Sequence, residues 1–171
     1  MANSFIEFNT NGFWARDGFV EAFQLLLFEE INNQYGNTIE WLTTYKSEIA
    51  MQSLPLIYGG MSLCLDETLI SQNRKDILLK CLDRIKSRIS SDENYLTGRH
   101  LNMLRQDVRQ FLVRAKKFKW DEEQIAKQVK DGAYGDELPQ KIYLSAFELL
   151  SQLISGQLNF KADTPITYWD E

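Results

Sequence analysis

Residues 101–118 read LNMLRQDVRQFLVRAKKF. Leu101, Leu104, Val108, Phe111, Ala115 and Phe118 recur at intervals of three, four, three, four and three. That spacing puts one apolar side chain per turn on a single helix face, so the stretch reads as an amphipathic α-helix. Arg105, Arg109 and Lys116 form a basic stripe on the same segment, with Arg99, Arg114, Lys117 and Lys119 nearby.

The same period extends in both directions. Residues 73–89 carry Leu78, Leu82, Ile85 and Ile89 inward, with Arg74, Lys75, Arg84, Lys86 and Arg88 mostly outward. Residues 61–70 suggest a short helix. Residues 19–35 are apolar nearly all round (Val20, Phe23, Leu25, Leu26, Leu27, Phe28, Ile31), as expected of a helix central to its domain. Asp17 is the expected cap at its start and Gly36 its terminator. A further helix is expected from Thr38, with Asn37 and Glu40 at capping-box spacing and Ile39, Leu42, Tyr45 and Ile49 as its stripe. Beyond residue 118, Asp121 and Gln124 repeat the capping-box spacing. Pro139 opens a last helix carrying Tyr143, Ala146, Phe147, Leu150, Leu153 and Ile154, which Gly156 ends. No sustained alternating run signals a sheet. The expected architecture is all-α: one domain over 1–171, an irregular bundle of about six helices, with irregular segments at 1–16 and 157–171.

The chain of 171 residues, 44% apolar and 25% charged, has the size and composition of one globular domain. The opening residues lack a basic region followed by an apolar one, so no secretory signal is expected. The longest apolar run, Leu25–Phe28, is far shorter than the ~20 residues of a membrane span. Cys64 and Cys81 sit in apolar runs and form no metal or CxxC pattern, so they read as buried free thiols. Together these features suggest a cytoplasmic protein without contact to a membrane.

The net charge of −5 is unevenly spread. Residues 1–60 sum to −5, residues 61–120 to +6 and residues 121–171 to −6. A basic helix stripe is what phosphate contacts require, so Arg105, Arg109 and Lys116 are the candidates for a nucleic-acid-binding or regulatory module. Acidic neighbours and the negative total argue against nucleic acid. Acidic groups beside aromatics in the irregular regions (Asp131, Tyr134, Asp136 and Glu137, then Trp169 and Asp170) are the candidates for contact with a basic protein partner.

Catalytic patterns are missing. His100 is the only histidine, which removes multi-histidine metal sites. It reads more simply as a histidine at a helix end, partly in solvent, than as a general base. Gly59-Gly60-Met61-Ser62-Leu63 is not a nucleophile elbow, and no phosphate-binding loop or dinucleotide fingerprint occurs. No catalytic residue, cofactor or metal is expected, and the chain does not read as an enzyme.

The segment Asn11-Gly12-Phe13-Trp14-Ala15-Arg16-Asp17-Gly18-Phe19, followed by an apolar helix, resembles the start of small helical immunity proteins. These belong to bacterial contact-dependent growth inhibition and related polymorphic toxin systems. The resemblance implies a short, acidic, cytosolic protein that binds a cognate toxin domain, often a basic nuclease, and blocks its active site. It implies no particular binding residues. The basic stretch 61–120 departs from that type.

Overall fold

Alternate residues of the opening segment point to opposite sides, and a hairpin results. In the computed structural model, which describes residues 3–54, 60–117, 119–131 and 134–158, strand β1 (Asn3–Phe8) pairs antiparallel with β2 (Asn11–Arg16). Ile6, Phe8, Phe13 and Ala15 enter the core, while Phe5 and Trp14, opposite each other in the register, pack their rings 5.3 Å apart on the outer face. Asn9 and Thr10 both have positive φ, the pattern of a two-residue type I′ turn, whose twist suits the paired strands. Gly12 is required here: a Cβ would lie 2.3 Å from the Ile6 carbonyl oxygen and 2.6 Å from the Phe5 ring. The expectation of an irregular 1–16 is therefore corrected. The alternation is short, and the turn lacks the glycine that usually marks one.

Helix α1 (Asp17–Tyr35) follows without a gap and contacts both strands and four other helices. Every residue from Val20 to Phe28 is buried, as its all-round apolar surface requires. Asp17 does not cap it; its carboxylate accepts the Ser4 hydroxyl at 2.6 Å. Helix α2 (Glu40–Gln52) starts two residues later than expected, without a side-chain cap. Asn37 instead accepts a hydrogen bond from Lys46 Nζ at 3.0 Å. The helix expected over 61–70 shrinks to the single turn α3 (Leu65–Thr68).

Helix α4 (Gln72–Ser91) is capped by Ser71 and packs on α7 (Gln140–Ser155), and both pack on α1. Helix α5 (Gly98–Arg114) is capped by the Thr97 hydroxyl, which accepts the His100 N–H at 3.1 Å. Helix α6 (Glu122–Asp131) begins in a true capping box. Asp121 Oδ1 accepts the Gln124 N–H at 2.8 Å, and Gln124 Oε1 accepts the Asp121 N–H at 3.0 Å. Gly156 ends α7 in the left-handed conformation. The described residues thus form seven helices and one hairpin, a mostly helical rather than an all-helical fold. None of these helices is long and apolar enough to cross a membrane. Of the segment expected to be irregular at the end, Gln157 and Leu158 are non-helical, and Leu158 is buried.

Candidate functional site

The basic stripe of α5 faces inward. Leu101, Leu104, Val108 and Leu112 turn α5 toward α1, and Arg105 and Arg109 lie on that same buried side. Arg105 Nε donates to Glu21 Oε1 at 2.7 Å, and Arg109 Nη2 lies 3.7 Å from the same oxygen. Arg109, fully buried, also donates to the Ser53 carbonyl at 2.9 Å and the Ser53 hydroxyl at 3.3 Å. Burial, only partly offset by Glu21, lowers its guanidinium to about 10. No phosphate can reach either arginine in this arrangement. Of the three candidates for phosphate contact, Arg105 and Arg109 are thus buried, and only Lys116, just past the end of α5, is exposed.

Other cations of the 61–120 stretch are half-buried and paired or stacked nearer the surface. Arg84 and Arg88 lie 3.4 and 3.3 Å from the fully buried carboxylate of Glu30. Lys86 pairs with Asp83 and Glu148 at 3.0 and 2.9 Å. Arg74 stacks on Trp41 and Lys75 on Phe8. Lys80, Arg99, Arg114, Lys116, Lys117 and Lys119 remain exposed.

Tyr134 completes the buried cluster. Its hydroxyl lies 3.0 Å from both Glu21 Oε2 and the Gly18 carbonyl, and its ring sits under the Arg105 guanidinium. Burial and the Glu21 charge hold the phenol well above its ordinary value, so it remains a proton donor. Tyr134, a candidate contact residue, is half-buried and anchors that loop. Its N–H donates to Asn102 Oδ1 at 2.8 Å, and its carbonyl accepts from Asn102 Nδ2 at 3.1 Å. Gly98 lets the loop cross the start of α5, since a Cβ there would lie 1.7 Å from the Gly135 carbonyl oxygen.

This anchoring leaves Asp136 and Glu137 exposed. Asp136 lines a groove of about 760 Å³ together with Asp92, Tyr95, Arg99, His100 and Met103. Met103, 52% exposed, also lines an adjoining groove of about 330 Å³ with Glu29, Asp107 and Phe111. Of the other acidic-aromatic candidates, Asp131 is the last residue of α6, but its side chain lies outside what is described. Trp169 and Asp170 lie outside the described residues.

His100 is half-buried beside this groove, and its protonation follows from its partners. Nδ1 meets the Tyr95 carbonyl oxygen, and Nε2 lies 3.0 Å from Glu29 Oε1. Both partners are acceptors only, so both contacts are satisfied only by the imidazolium. Burial opposes that charge, but the hydrogen bonds to Glu29 and to the Tyr95 carbonyl outweigh it and raise the ring above its ordinary value. A ring held this way has no free lone pair to act as a base. Among the described residues, no three His, Cys, Asp or Glu side chains are grouped to hold a metal ion. Cys81 is buried, its thiol pushed up to about 12 mainly by burial, and Cys64 is half-buried.

The acidic partners on α1, namely Glu21, Glu29 and Glu30, escape a reading of spacing alone. Their signal is compositional: charges on a helix without a polar face must be paired when buried. No family model, no curated protein and no solved structure matches this chain.

Proposed function

We infer that this protein binds a basic protein partner, in the manner of an immunity protein that neutralises a cognate toxin by covering its active site. One observation carries the reading: the fold buries Arg105 and Arg109 of the α5 stripe and leaves Asp136 and Glu137 exposed, with Asp136 lining a groove. Arg105 and Arg109 are bound to Glu21, and Arg84 and Arg88 to Glu30. Of the basic stretch that departs from the immunity type in sequence, Arg105 and Arg109 are buried, Arg84, Lys86 and Arg88 are paired with carboxylates, and Lys80, Arg99, Arg114, Lys116, Lys117 and Lys119 are exposed. The groove is lined by the carboxylates of Asp92 and Asp136 beside Arg99, with Met103 as an exposed apolar centre, and Glu137 is exposed next to Asp136 in the chain. Carboxylates at a rim speed capture of a basic partner, while a central apolar side chain contributes contact area.

The loop is pre-formed by Tyr134, Asn102 and Gly98, so its presentation costs little ordering on binding. The alternative, a nucleic-acid module on the α5 stripe, retains only Lys116 of its three residues at the surface. The test is a pull-down of the tagged protein from its host's lysate at low and moderate salt. Capture of one basic protein in stoichiometric amount, retained at moderate salt and lost from an Asp92→Asn/Asp136→Asn/Glu137→Gln variant, is the expected result. Recovery of nucleic acid alone, lost as salt rises, contradicts the reading.

A further inference from the structure

His100 stands where the groove that Asp136 lines meets the core. Its ring lines that groove beside Asp92, Tyr95 and Arg99, and it sits in the first turn of α5. Nε2 reaches Glu29 Oε1 on α1 at 3.0 Å, and Nδ1 reaches the Tyr95 carbonyl oxygen in the 92–97 connection between α4 and α5. Charged and titratable groups surround the ring from every neighbouring element. Glu29 comes from α1 and Arg88 from α4. Tyr95, its ring 5.0 Å away, comes from the connection. Arg99 and Asp107 come from α5, with Asp92 and Asp136 lining the same groove. Burial disfavours the imidazolium, but the hydrogen bonds to Glu29 and to the Tyr95 carbonyl outweigh it, so the ring titrates above its ordinary value of 6.5.

The two contacts coexist only while both ring nitrogens carry a proton. A neutral ring has one N–H for two acceptors. Glu29 keeps it, because a half-buried carboxylate is costlier to strand than a neutral carbonyl. Nδ1 then turns a lone pair on the Tyr95 oxygen, and that contact becomes repulsive. The side chains of Tyr95 and Leu96 are buried in the core, so the peptide carbonyl between them is the part that turns. Two hydrogen bonds tie this stretch to Asp92. The Tyr95 N–H donates to the Asp92 carbonyl at 3.1 Å, and the Asn94 N–H donates to Asp92 Oδ1 at 2.9 Å. Asp136 is held differently. Its loop rests on Asn102 and Gly98 through contacts that omit the ring.

We propose that His100 is a proton-operated latch on this groove: charged, it holds the 92–97 connection against α5, and neutral, it releases the Tyr95 carbonyl and shifts Asp92 relative to Asp136. The latch is closed on the acid side and opens as pH rises through the titration of the ring. It operates whatever fills the groove, so it does not depend on the binding function assigned above. His100 is the only histidine, so a single ring signal reports it. The test is a nuclear magnetic resonance titration of the full-length protein, without a partner, from about pH 5 to about pH 9. The ring midpoint is expected above 6.5, with the neutral form protonated at Nε2. The Tyr95 carbonyl carbon and the Leu96 and Asp92 amides are expected to shift with the same midpoint, while the Asn102 and Tyr134 amides stay flat. His100→Gln abolishes those shifts, and Glu29→Gln lowers the midpoint. The native titration decides alone where a variant fails to fold. A ring that titrates while Tyr95 and Asp92 stay flat overturns the proposal, and so does a neutral ring protonated at Nδ1. Either result leaves the binding reading standing, since the pull-down tests it separately.

Discussion

Arg105 on α5 and Glu21 on α1 form a buried ion pair with 2.7 Å between Nε and Oε1. This pair converts what reads as a phosphate-binding stripe into an internal joint. It ties the hairpin-proximal end of α1 to α5, and through Tyr134 to the loop that presents Asp136.

Removing one partner leaves an uncompensated buried charge. Glu21→Gln or Arg105→Met is expected to destabilise the fold by about 3–5 kcal/mol. The double variant is expected to recover only part of that loss, because Arg109, 3.7 Å from the same Glu21 oxygen, is left without its carboxylate. Urea denaturation of the three variants measures this, and additive losses would contradict the pairing.

Stability is expected to depend on His100 and pH. The folded imidazole titrates above its ordinary value of 6.5, so its contribution is complete below that pH and is lost as pH rises through the folded value. The urea midpoint of the native protein is expected to fall between pH 6 and pH 8.5. Glu29→Gln and His100→Gln should each flatten that slope, and an unchanged slope in both variants would exclude His100 as its origin.

Lys46 is buried at the α1–α2 connection. Nζ donates to Asn32 Oδ1, the Gly36 carbonyl and Asn37 Oδ1 at 3.0–3.1 Å, above the rings of Phe28 and Phe111. Three convergent acceptors suit a compact ammonium and not a planar guanidinium. Lys46→Met is expected to cost about 1–3 kcal/mol, and Lys46→Arg should not restore the loss. Thermal melting of both variants checks this, and full recovery with arginine would mean that charge alone matters.

Gly98→Ala should push the 134–137 loop off α5, since the added methyl meets the Gly135 carbonyl. The expected cost is about 1–3 kcal/mol, as for overpacking, with faster proteolysis within the loop. Unchanged proteolysis would show that the loop adjusts without leaving its seat.

Elements carried by helical spacing were legible in the sequence. The inward face of α4, the Asp121–Gln124 box and Gly156 after α7 all follow from local rules, and the structure bears them out; of the α5 stripe, Leu101, Leu104 and Val108 are buried, but the helix ends at Arg114, Ala115 is exposed, and Phe118 lies outside the described residues. Residues whose roles depend on distant partners were not. Spacing places Arg105 and Arg109 on the α5 turns but does not reveal that Glu21 lies opposite them, 84 and 88 positions away. Because Leu104 and Val108 immediately precede the two arginines, the stripe lies at the edge of the apolar face, where a modest rotation of α5 decides between solvent and core. The Ser4–Phe8 alternation was hidden by its brevity. Of the candidate contact residues, Asp136 and Glu137 are exposed as expected. Tyr134 is not, because its hydroxyl finds Glu21.

The most direct measurement is the affinity of the captured basic partner for the native protein and for the Asp92→Asn/Asp136→Asn/Glu137→Gln variant, by calorimetry at two salt concentrations. The account predicts at least tenfold weaker binding by the variant and a shallower salt dependence, with unchanged melting temperature. Equal affinity and equal salt dependence for the two proteins would contradict it and place the interface on another face.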